Sequence, residues 1–169
     1  MDVVNRSLSL RGKRFVVPVN TPGEIFMMRC PPGGAKLDRA IGSLAKDGLH
    51  FVVSLLPDND AAALGVVDEA ALCARHGVEF YRYPITDFGL PTDATRFAAV
   101  LDEVVSQLRT GANGAVHCRA GIGRTGLLVG AVLVRLGQTP DAAITAMSAA
   151  RGVESPESKA QREWLRNFC

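Results

Sequence analysis

Residues 114–126 constrain the fold of this chain more than any other stretch. A short apolar, β-prone run ends at His117 and leads into Cys118, and a loop with two glycines then leads to Arg124 and a helical pattern. A strand, a tight loop and a helix N-terminus in this order gather backbone N–H groups into a cradle for an anion. The segment therefore predicts an α/β fold with an oxyanion site at the carboxyl end of a strand.

Cys118 and Arg124 supply the reactive groups of this segment. A cysteine at such a junction has a lowered pKa and is a thiolate at neutral pH, whereas most cysteines are simply buried apolar residues. Arg124 lies in the first turn of a helix, where the dipole disfavours a cation unless an anion is nearby. Its planar guanidinium matches phosphate oxygens. Together these residues predict covalent catalysis on a phosphate ester.

The segment also resembles a known family. The matching residues are His117, Cys118, Gly121, Arg124, Thr125 and Gly126. They resemble the signature loop of cysteine-dependent protein tyrosine and dual-specificity phosphatases, which reads His-Cys, five residues, Arg and Ser or Thr. The whole chain is similar to the small dual-specificity branch, near the kinase-associated phosphatases. The resemblance implies one catalytic domain over residues 1–169, a phosphocysteine intermediate, and no cofactor or metal.

Several loop residues receive roles on this basis. We expect the substrate phosphate to be bound by Arg124 and by the N–H groups of Arg119, Ala120, Gly121, Ile122 and Gly123. Thr125 can donate its hydroxyl to the Cys118 sulfur, and in the family the matching hydroxyl helps the thiolate to leave in the second step. His117 resembles the family histidine that orders the loop, although a core histidine explains it equally well.

Asp87 is the predicted general acid, because an alkoxide or phenolate leaving group needs a proton. Residues 84–91, which read Pro-Ile-Thr-Asp-Phe-Gly-Leu-Pro, resemble the acid loop of kinase-associated phosphatases. The rival Asp93 lies where a helix begins and is explained by the helix dipole. Gln161 loosely matches a family glutamine that positions water, and it is equally well explained as a surface helix residue.

The rest of the chain alternates strand and helix patterns before ending in helices. The predicted strands are 15–19 and 24–29, paired as an edge hairpin, then 50–56, 78–85 and 114–117. The predicted helices are 37–45, a stretch from 58 that 66–76 continues, one capped by Thr92, 124–136, and two that start at Pro140 and Pro156. This order predicts an α/β sandwich whose central, mostly parallel sheet has four or five strands. Asp58 and Asp60 are explained here by the dipole of their helix.

Composition limits the partners and the location. A net charge of +2 gives no argument for nucleic acid or a membrane surface, and the apolar run 127–134 is far shorter than a span of about 20 residues. No signal peptide is expected at Met1, so we expect a cytoplasmic protein with reduced thiols, and a monomer. The cysteines lack metal-site spacing; they are Cys30, Cys73, Cys118 and Cys169.

The predicted partner is a phosphorylated protein or peptide, and three alternatives stay open. Arg119, Ala120 and Ile122 replace the paired lysines of phosphoinositide phosphatases, which favours phosphoprotein over lipid. Phosphotyrosine is the expected substrate, and phosphoserine and phosphothreonine stay open as further ones. The alternatives are a phosphatase of a non-protein ester such as a phosphoinositide or nucleotide, a rhodanese-type sulfurtransferase, and a non-catalytic phosphate-binding module.

Overall fold

The fold is known from a computed structural model that describes residues 14–168. The strands are β1 (Arg14–Val17), β2 (Ile25–Met28), β3 (Phe51–Ser54), β4 (Glu79–Arg82) and β5 (Gly114–His117). They form one sheet in the order β1-β2-β5-β3-β4. β1 is antiparallel to β2, and every other neighbouring pair is parallel. The predicted fold class and the edge hairpin are confirmed.

Seven α-helices flank this sheet within the described residues. They are α1 (Leu37–Lys46), α2 (Asp58–Leu64), α3 (Glu69–Arg75), α4 (Ala94–Arg109), α5 (Gly123–Arg135), α6 (Pro140–Arg151) and α7 (Lys159–Arg166). α5 is buried along nearly its whole length, as expected of a helix that is apolar on all sides. The apolar residues of strands β2, β3 and β5 are likewise buried.

The position of β5 determines where the site lies. It is hydrogen-bonded to β2 on one side and β3 on the other, so that Met28 and Ser54 are both level with His117. The chain segments that follow these three parallel strands therefore meet at one edge of the sheet, where open α/β folds bind ligands. Cys118 is the first residue beyond this edge.

The structure corrects the predicted helix from residue 58 to residue 76. Gly65 adopts a left-handed conformation, with φ at 71°, and ends α2. A separate helix, α3, then begins at Glu69. Glycine reaches this conformation without the steric cost that other residues meet. After this break Glu69 lies in the interior, with 1% of its surface exposed.

Two other helix starts also differ from the prediction. Asp93, not Thr92, caps α4, because its carboxylate accepts a hydrogen bond from the N–H of Arg96 at 2.9 Å. The last helix begins at Lys159 with Ser158 as its cap, beyond the predicted start at Pro156. In both cases the side chain that satisfies the first free N–H groups sets the boundary.

Residues 1–13 and Cys169 lie outside the described residues. The expectations of one domain over 1–169 and of no signal peptide at Met1 therefore stay predictions. Among the described residues, no helix combines the length and the apolar character needed to cross a bilayer.

Candidate active site

The loop between β5 and α5 turns its carbonyl groups toward neighbouring elements. The carbonyl of Cys118 lies 3.1 Å from Nδ1 of His117, and the carbonyl of Arg119 accepts from the N–H of Cys30 at 3.1 Å. Cys30 follows β2, so the edge of the sheet itself holds the start of the loop. These contacts fix the first two peptide planes after the strand.

The next three carbonyls of the loop accept hydrogen bonds from α6 and from the segment that follows it. Arg151 donates from Nη2 to the carbonyl of Ala120 at 2.9 Å and from Nε to that of Gly121 at 3.0 Å. The hydroxyl of Ser155 donates to the carbonyl of Ile122 at 2.7 Å. Sequence reasoning missed Arg151 and Ser155, because nothing local to them indicates a contact with a loop thirty residues away.

These contacts determine the direction of the loop amides. In a trans peptide the N–H points away from the preceding carbonyl, so outward carbonyls at 118–122 leave the amides of 119–123 on the opposite side. The thiol of Cys118 receives backbone hydrogen bonds from Gly121 and Thr125. The N–H groups of Gly121 and Thr125 therefore face the sulfur, and Gly121 is among the donors expected from the sequence. Gly121 is needed here, because its φ is 73° and an added Cβ would lie 2.2 Å from the carbonyl oxygen of Met28.

The Cys118 thiol lies at the floor of this loop, with 3% of the residue exposed. Burial raises its pKa, but hydrogen bonds from the Thr125 hydroxyl and from the loop amides, with the charge of Arg124, together lower it below the ordinary value. The Thr125 hydroxyl lies 3.2 Å from the sulfur. The geometry therefore favours a thiolate at a buried position.

Arg124 is buried, and its guanidinium is held on one edge. Nη1 donates to Oδ2 of Asp60 at 2.8 Å and to the carbonyl of Ile85 at 3.0 Å. Nη2 lies 3.2 Å from Oδ1 of Asp87. The predicted acid and the predicted phosphate-binding arginine, far apart in sequence, are thus neighbours. Asp60 joins them, although the sequence analysis explained it by the helix dipole alone.

Asp87 lies on an exposed turn at the rim of the loop. Its Oδ1 accepts from the N–H of Phe88 at 3.1 Å, and Phe88 has a positive φ of 58° with 61% of its surface exposed. Asp93 is engaged as a helix cap and, among the residues described here, forms no hydrogen bond or ion pair with Arg124. The structure therefore favours Asp87 over Asp93 as the carboxylate of the site.

His117 and Glu69 form a buried ion pair beneath the loop. Nε2 of His117 lies 2.7 Å from Oε1 of Glu69, and both side chains are almost fully buried. Burial lowers the pKa of His117, but contacts with Cys30 and Glu69 outweigh it and raise this pKa to about 10. The imidazole is therefore held as a cation one residue before Cys118. Glu69 was missed, because a glutamate in a helical stretch normally faces solvent.

Gln161 is buried, which rules out the surface alternative. Its Oε1 accepts from the N–H of Ser158 at 3.2 Å, and its Nε2 donates to the carbonyl of Gly89 at 3.2 Å. A Cβ added to Gly123 would lie 2.9 Å from Oε1. The side chain thus lies between α7, the acid loop and the end of the phosphate loop.

The remaining predicted residues are Arg119, Ala120 and Ile122, which lie in the same loop. Arg119 is exposed, and Ala120 and Ile122 are half-buried. We therefore expect these residues to contribute their backbone N–H groups to the site, and not their side chains. Within residues 14–168, no group of three or more His, Cys, Asp or Glu side chains is suited to hold a metal ion.

A cysteine and an arginine six residues apart, in a loop of inward amides after a central parallel strand, define a cysteine-dependent phosphatase. A family described as a polymorphic toxin system DSP-PTPase phosphatase matches residues 28–138. The chain belongs to this family. The predicted family resemblance and the predicted enzyme class, a hydrolase of phosphate monoesters, are confirmed.

Solved structures with the same fold include several phosphatases. Kinase-associated phosphatase (KAP) gives a TM-score of 0.84 at 19% identity, covering 92% of each chain. Tk-PTP in its active form gives 0.72 at 24% identity, covering 86% of this chain and 91% of that one. PTPMT1 in complex with PI(5)P gives 0.71 at 20% identity, covering 89% and 92%. No curated protein matches the sequence significantly.

Proposed function

We propose that this phosphatase hydrolyses phosphotyrosine in proteins or peptides through a phosphocysteine intermediate. The main support for this proposal is that three groups lie close together. They are the Cys118 thiol with its lowered pKa, the buried Arg124, and Asp87 at 3.2 Å from that arginine. A nucleophile, an oxyanion clamp and a proton donor are the parts that phosphate-ester cleavage requires.

In the first step the Cys118 thiolate attacks phosphorus, and the bond from phosphorus to the ester oxygen breaks. The protonated Asp87 gives its proton to the departing oxygen, so that the alcohol leaves neutral. Arg124 and the amides of 119–123 stabilise the charge on the three equatorial oxygens of the transferring group. His117 orders the loop through its contact with the Cys118 carbonyl.

In the second step water attacks the phosphocysteine, and Asp87, now ionised, accepts its proton. The bond from phosphorus to sulfur breaks and inorganic phosphate leaves. The thiolate that remains on Cys118 is stabilised by the Thr125 hydroxyl, which lies 3.2 Å from the sulfur. We assign Gln161 to the placement of this water. Its Nε2 donates a hydrogen bond to the carbonyl of Gly89 in the acid loop. This hydrogen bond must break before the side-chain amide of Gln161 can orient the water.

The rim of the site favours an aryl ester. Phe88 and Leu90, the exposed apolar residues on either side of Gly89, offer a surface for a phenol ring next to Asp87. A serine or threonine phosphate has no ring to place there. The phosphate loop also contains no lysine to bind the further phosphates of an inositol headgroup.

The proposed chemistry also requires a particular cellular compartment. A thiolate nucleophile needs a reducing compartment, so we propose that the enzyme acts in the cytoplasm. The cysteines at positions 30, 73 and 118 are all free. We also propose a monomeric enzyme with residues 1–169 as one catalytic domain, without cofactor or metal.

The test compares leaving groups in the Asp87→Asn variant. We expect kcat on a phosphotyrosine peptide to fall by about 10²- to 10⁴-fold, because the phenolate must then leave unprotonated. The loss should be smaller for p-nitrophenyl phosphate, whose leaving group is more acidic. The matched control is Asp93→Asn, which should keep the wild-type kcat because asparagine also caps helices well.

Turnover assays on several substrates decide between the alternative functions. Phosphotyrosine peptide, phosphoserine peptide, a nucleotide and PI(5)P are offered at equal concentration, with thiosulfate as the sulfurtransferase substrate. Faster turnover of PI(5)P or of the nucleotide than of phosphotyrosine would overturn the assigned substrate. Binding of phosphopeptide without turnover by the wild-type protein would overturn the enzyme mechanism.

A further inference from the structure

An open groove lies between the acid loop and the last helix, beside the active site. Its volume is about 540 Å³, and it is lined by Leu90, Ala160, Glu163, Trp164, Asn167 and Phe168. The last five of these residues are three or four positions apart, so they form one face of α7 and of the turn that follows it. Apart from Leu90, none of them has a part in the two-step reaction.

Two aromatic rings give the groove its apolar surface. The rings of Trp164 and Phe168 lie with their centroids 5.3 Å apart, and both residues are half-buried. Trp164 also packs edge-on against Phe97, at 5.4 Å between centroids, and Phe97 is a core residue with 2% of its surface exposed. The core therefore supports one side of this aromatic pair, while the other side borders the open groove.

The groove is continuous with the rim of the active site. Four large apolar side chains are exposed within residues 14–168, and two of them, Phe88 and Leu90, lie on either side of Gly89 in the acid loop. The hydrogen bond from Nε2 of Gln161 to the carbonyl of Gly89 joins α7 to this loop at 3.2 Å. Leu90 is three residues after Asp87, a distance along the chain of at most about 11 Å. An apolar surface therefore extends from the proposed general acid into the groove.

We propose that this groove binds a large apolar side chain of the substrate, within three residues of its phosphotyrosine. A protein segment whose phosphate lies in the loop must continue across the rim, and three extended residues span about 10 Å. The side chain that reaches the groove meets an aromatic surface, where an apolar group is buried with a gain in affinity and a charged one is not. The inference rests on the proposed function and adds a sequence preference to it.

The first experiment uses the fluorescence of Trp164, the single tryptophan of the chain. Phosphotyrosine peptides of glycine and serine, with one leucine at each of the three positions before and after the phosphotyrosine, are titrated into Cys118→Ser, which binds without turnover. We expect at least one leucine position to change the Trp164 emission and to tighten binding about five- to tenfold over the leucine-free peptide. The proposal is wrong if no leucine position changes either the emission or the affinity.

The second experiment places a charge in the groove with Ala160→Glu. Ala142→Glu is the matched control, because both alanines are exposed in the first turn of a helix, where a carboxylate is favourable. The measured quantity is the ratio of kcat/KM for the best leucine peptide to kcat/KM for the leucine-free peptide. This ratio should fall to about one in Ala160→Glu and keep its wild-type value of about five to ten in Ala142→Glu. A ratio that Ala160→Glu leaves unchanged, or that both variants lower equally, would overturn the proposal.

The outcomes separate this inference from the proposed function. A wild-type protein that turns over none of the phosphotyrosine peptides removes the proposed function, whereas equal kcat/KM on the leucine and leucine-free peptides keeps that function and removes the groove. Trp164 emission that changes with protein concentration in the absence of peptide would assign the groove to a second copy of this chain, and would also overturn the proposal. Should Ala160→Glu fail to fold in a thermal melt, the titration of Cys118→Ser gives the decision.

Discussion

Cys118 and Cys73 are both buried thiols, yet their surroundings act on them in opposite directions. Cys73 lies in α3 with none of its surface exposed, and burial together with the negative charge of Glu69 raises its pKa to about 12. Cys118 is exposed by only 3%, and its pKa is lowered. Burial therefore does not decide whether a cysteine of this protein is reactive.

The difference lies in the groups that point at each sulfur. At Cys118 a hydroxyl, backbone amides and an arginine all favour the anion and outweigh the cost of burial. Cys73 belongs to the apolar core, and its named charged neighbour is a carboxylate. An anion inside a protein is stabilised only where donors have been brought to it, and the strand–loop–helix junction brings them.

Glu69 contributes to the surroundings of both cysteines, directly at Cys73 and through His117 at Cys118. Its charge contributes to the raised pKa of Cys73, and its contact with His117 contributes to the raised pKa of that imidazole. One buried carboxylate thus adds to the effect of burial in favouring the neutral thiol of Cys73, and it favours the cationic imidazole of His117 next to Cys118. The surroundings of Cys73 and Cys118 are linked through this residue.

The largest expected difference between the two thiols is in catalysis. Cys118→Ser should lower kcat on phosphotyrosine by at least about 10⁴-fold, because a hydroxyl at this position is not ionised near neutral pH. Inorganic phosphate should still bind, since Arg124 and the loop amides are unchanged. Cys73→Ser is the matched control and should keep kcat within about twofold, although a buried hydroxyl costs about 1–3 kcal/mol of stability where it lacks a partner. Normal turnover by Cys118→Ser would contradict the assignment.

The next largest effect is expected from Glu69→Gln, which breaks the link between the two environments. Losing one partner of a buried pair leaves the His117 cation uncompensated and should lower the free energy of unfolding by about 3–5 kcal/mol at pH 7. The raised pKa also gives a pH dependence. The pair stabilises the wild type fully below pH 6.5 and loses this contribution as the pH rises toward about 10.

Urea unfolding at several pH values between 6 and 10 measures this loss. Glu69→Gln should show a smaller decline with pH than the wild type, since its histidine has lost the partner that raised the pKa. Glu103→Gln, an exposed residue of α4, should change the stability by no more than about 0.5 kcal/mol. Equal slopes in the wild type and Glu69→Gln would mean that His117 is neutral in the folded protein.

The smallest of the three effects sharpens the account of Cys118 itself. Thr125→Val removes the hydroxyl at 3.2 Å with little change in shape, so the pKa of Cys118 should rise, by about one unit for one hydrogen bond to an anion. The pH profile of alkylation by iodoacetamide should move upward accordingly. Thr125→Ser keeps a donor and should keep the wild-type profile. An unshifted profile in Thr125→Val would mean that the amides and Arg124 alone hold the thiolate.

Much of the site could be predicted because its core is local. Cys118 and Arg124 lie in one segment, and the passage from strand through a glycine-bearing loop to helix already determines that amides and a guanidinium gather there. The choice of Asp87 over Asp93 was also within reach. A carboxylate at a helix start is occupied as a cap, as Asp93 is, and one in a proline-flanked loop is not.

The sequence by itself therefore determined the fold class and predicted the nucleophile, its arginine and the more suitable acid, since short-range backbone geometry and hydrophobic patterning depend on neighbouring residues. Only the tertiary structure decided that Asp60 pairs with Arg124 across 64 positions, that Glu69 pairs with His117 across 48, and that Arg151 donates to a loop about thirty residues before it. A charged residue on a helix has the same local pattern whether it faces water or the interior. The packing of one helix against another element makes that choice, and no short window of sequence contains it.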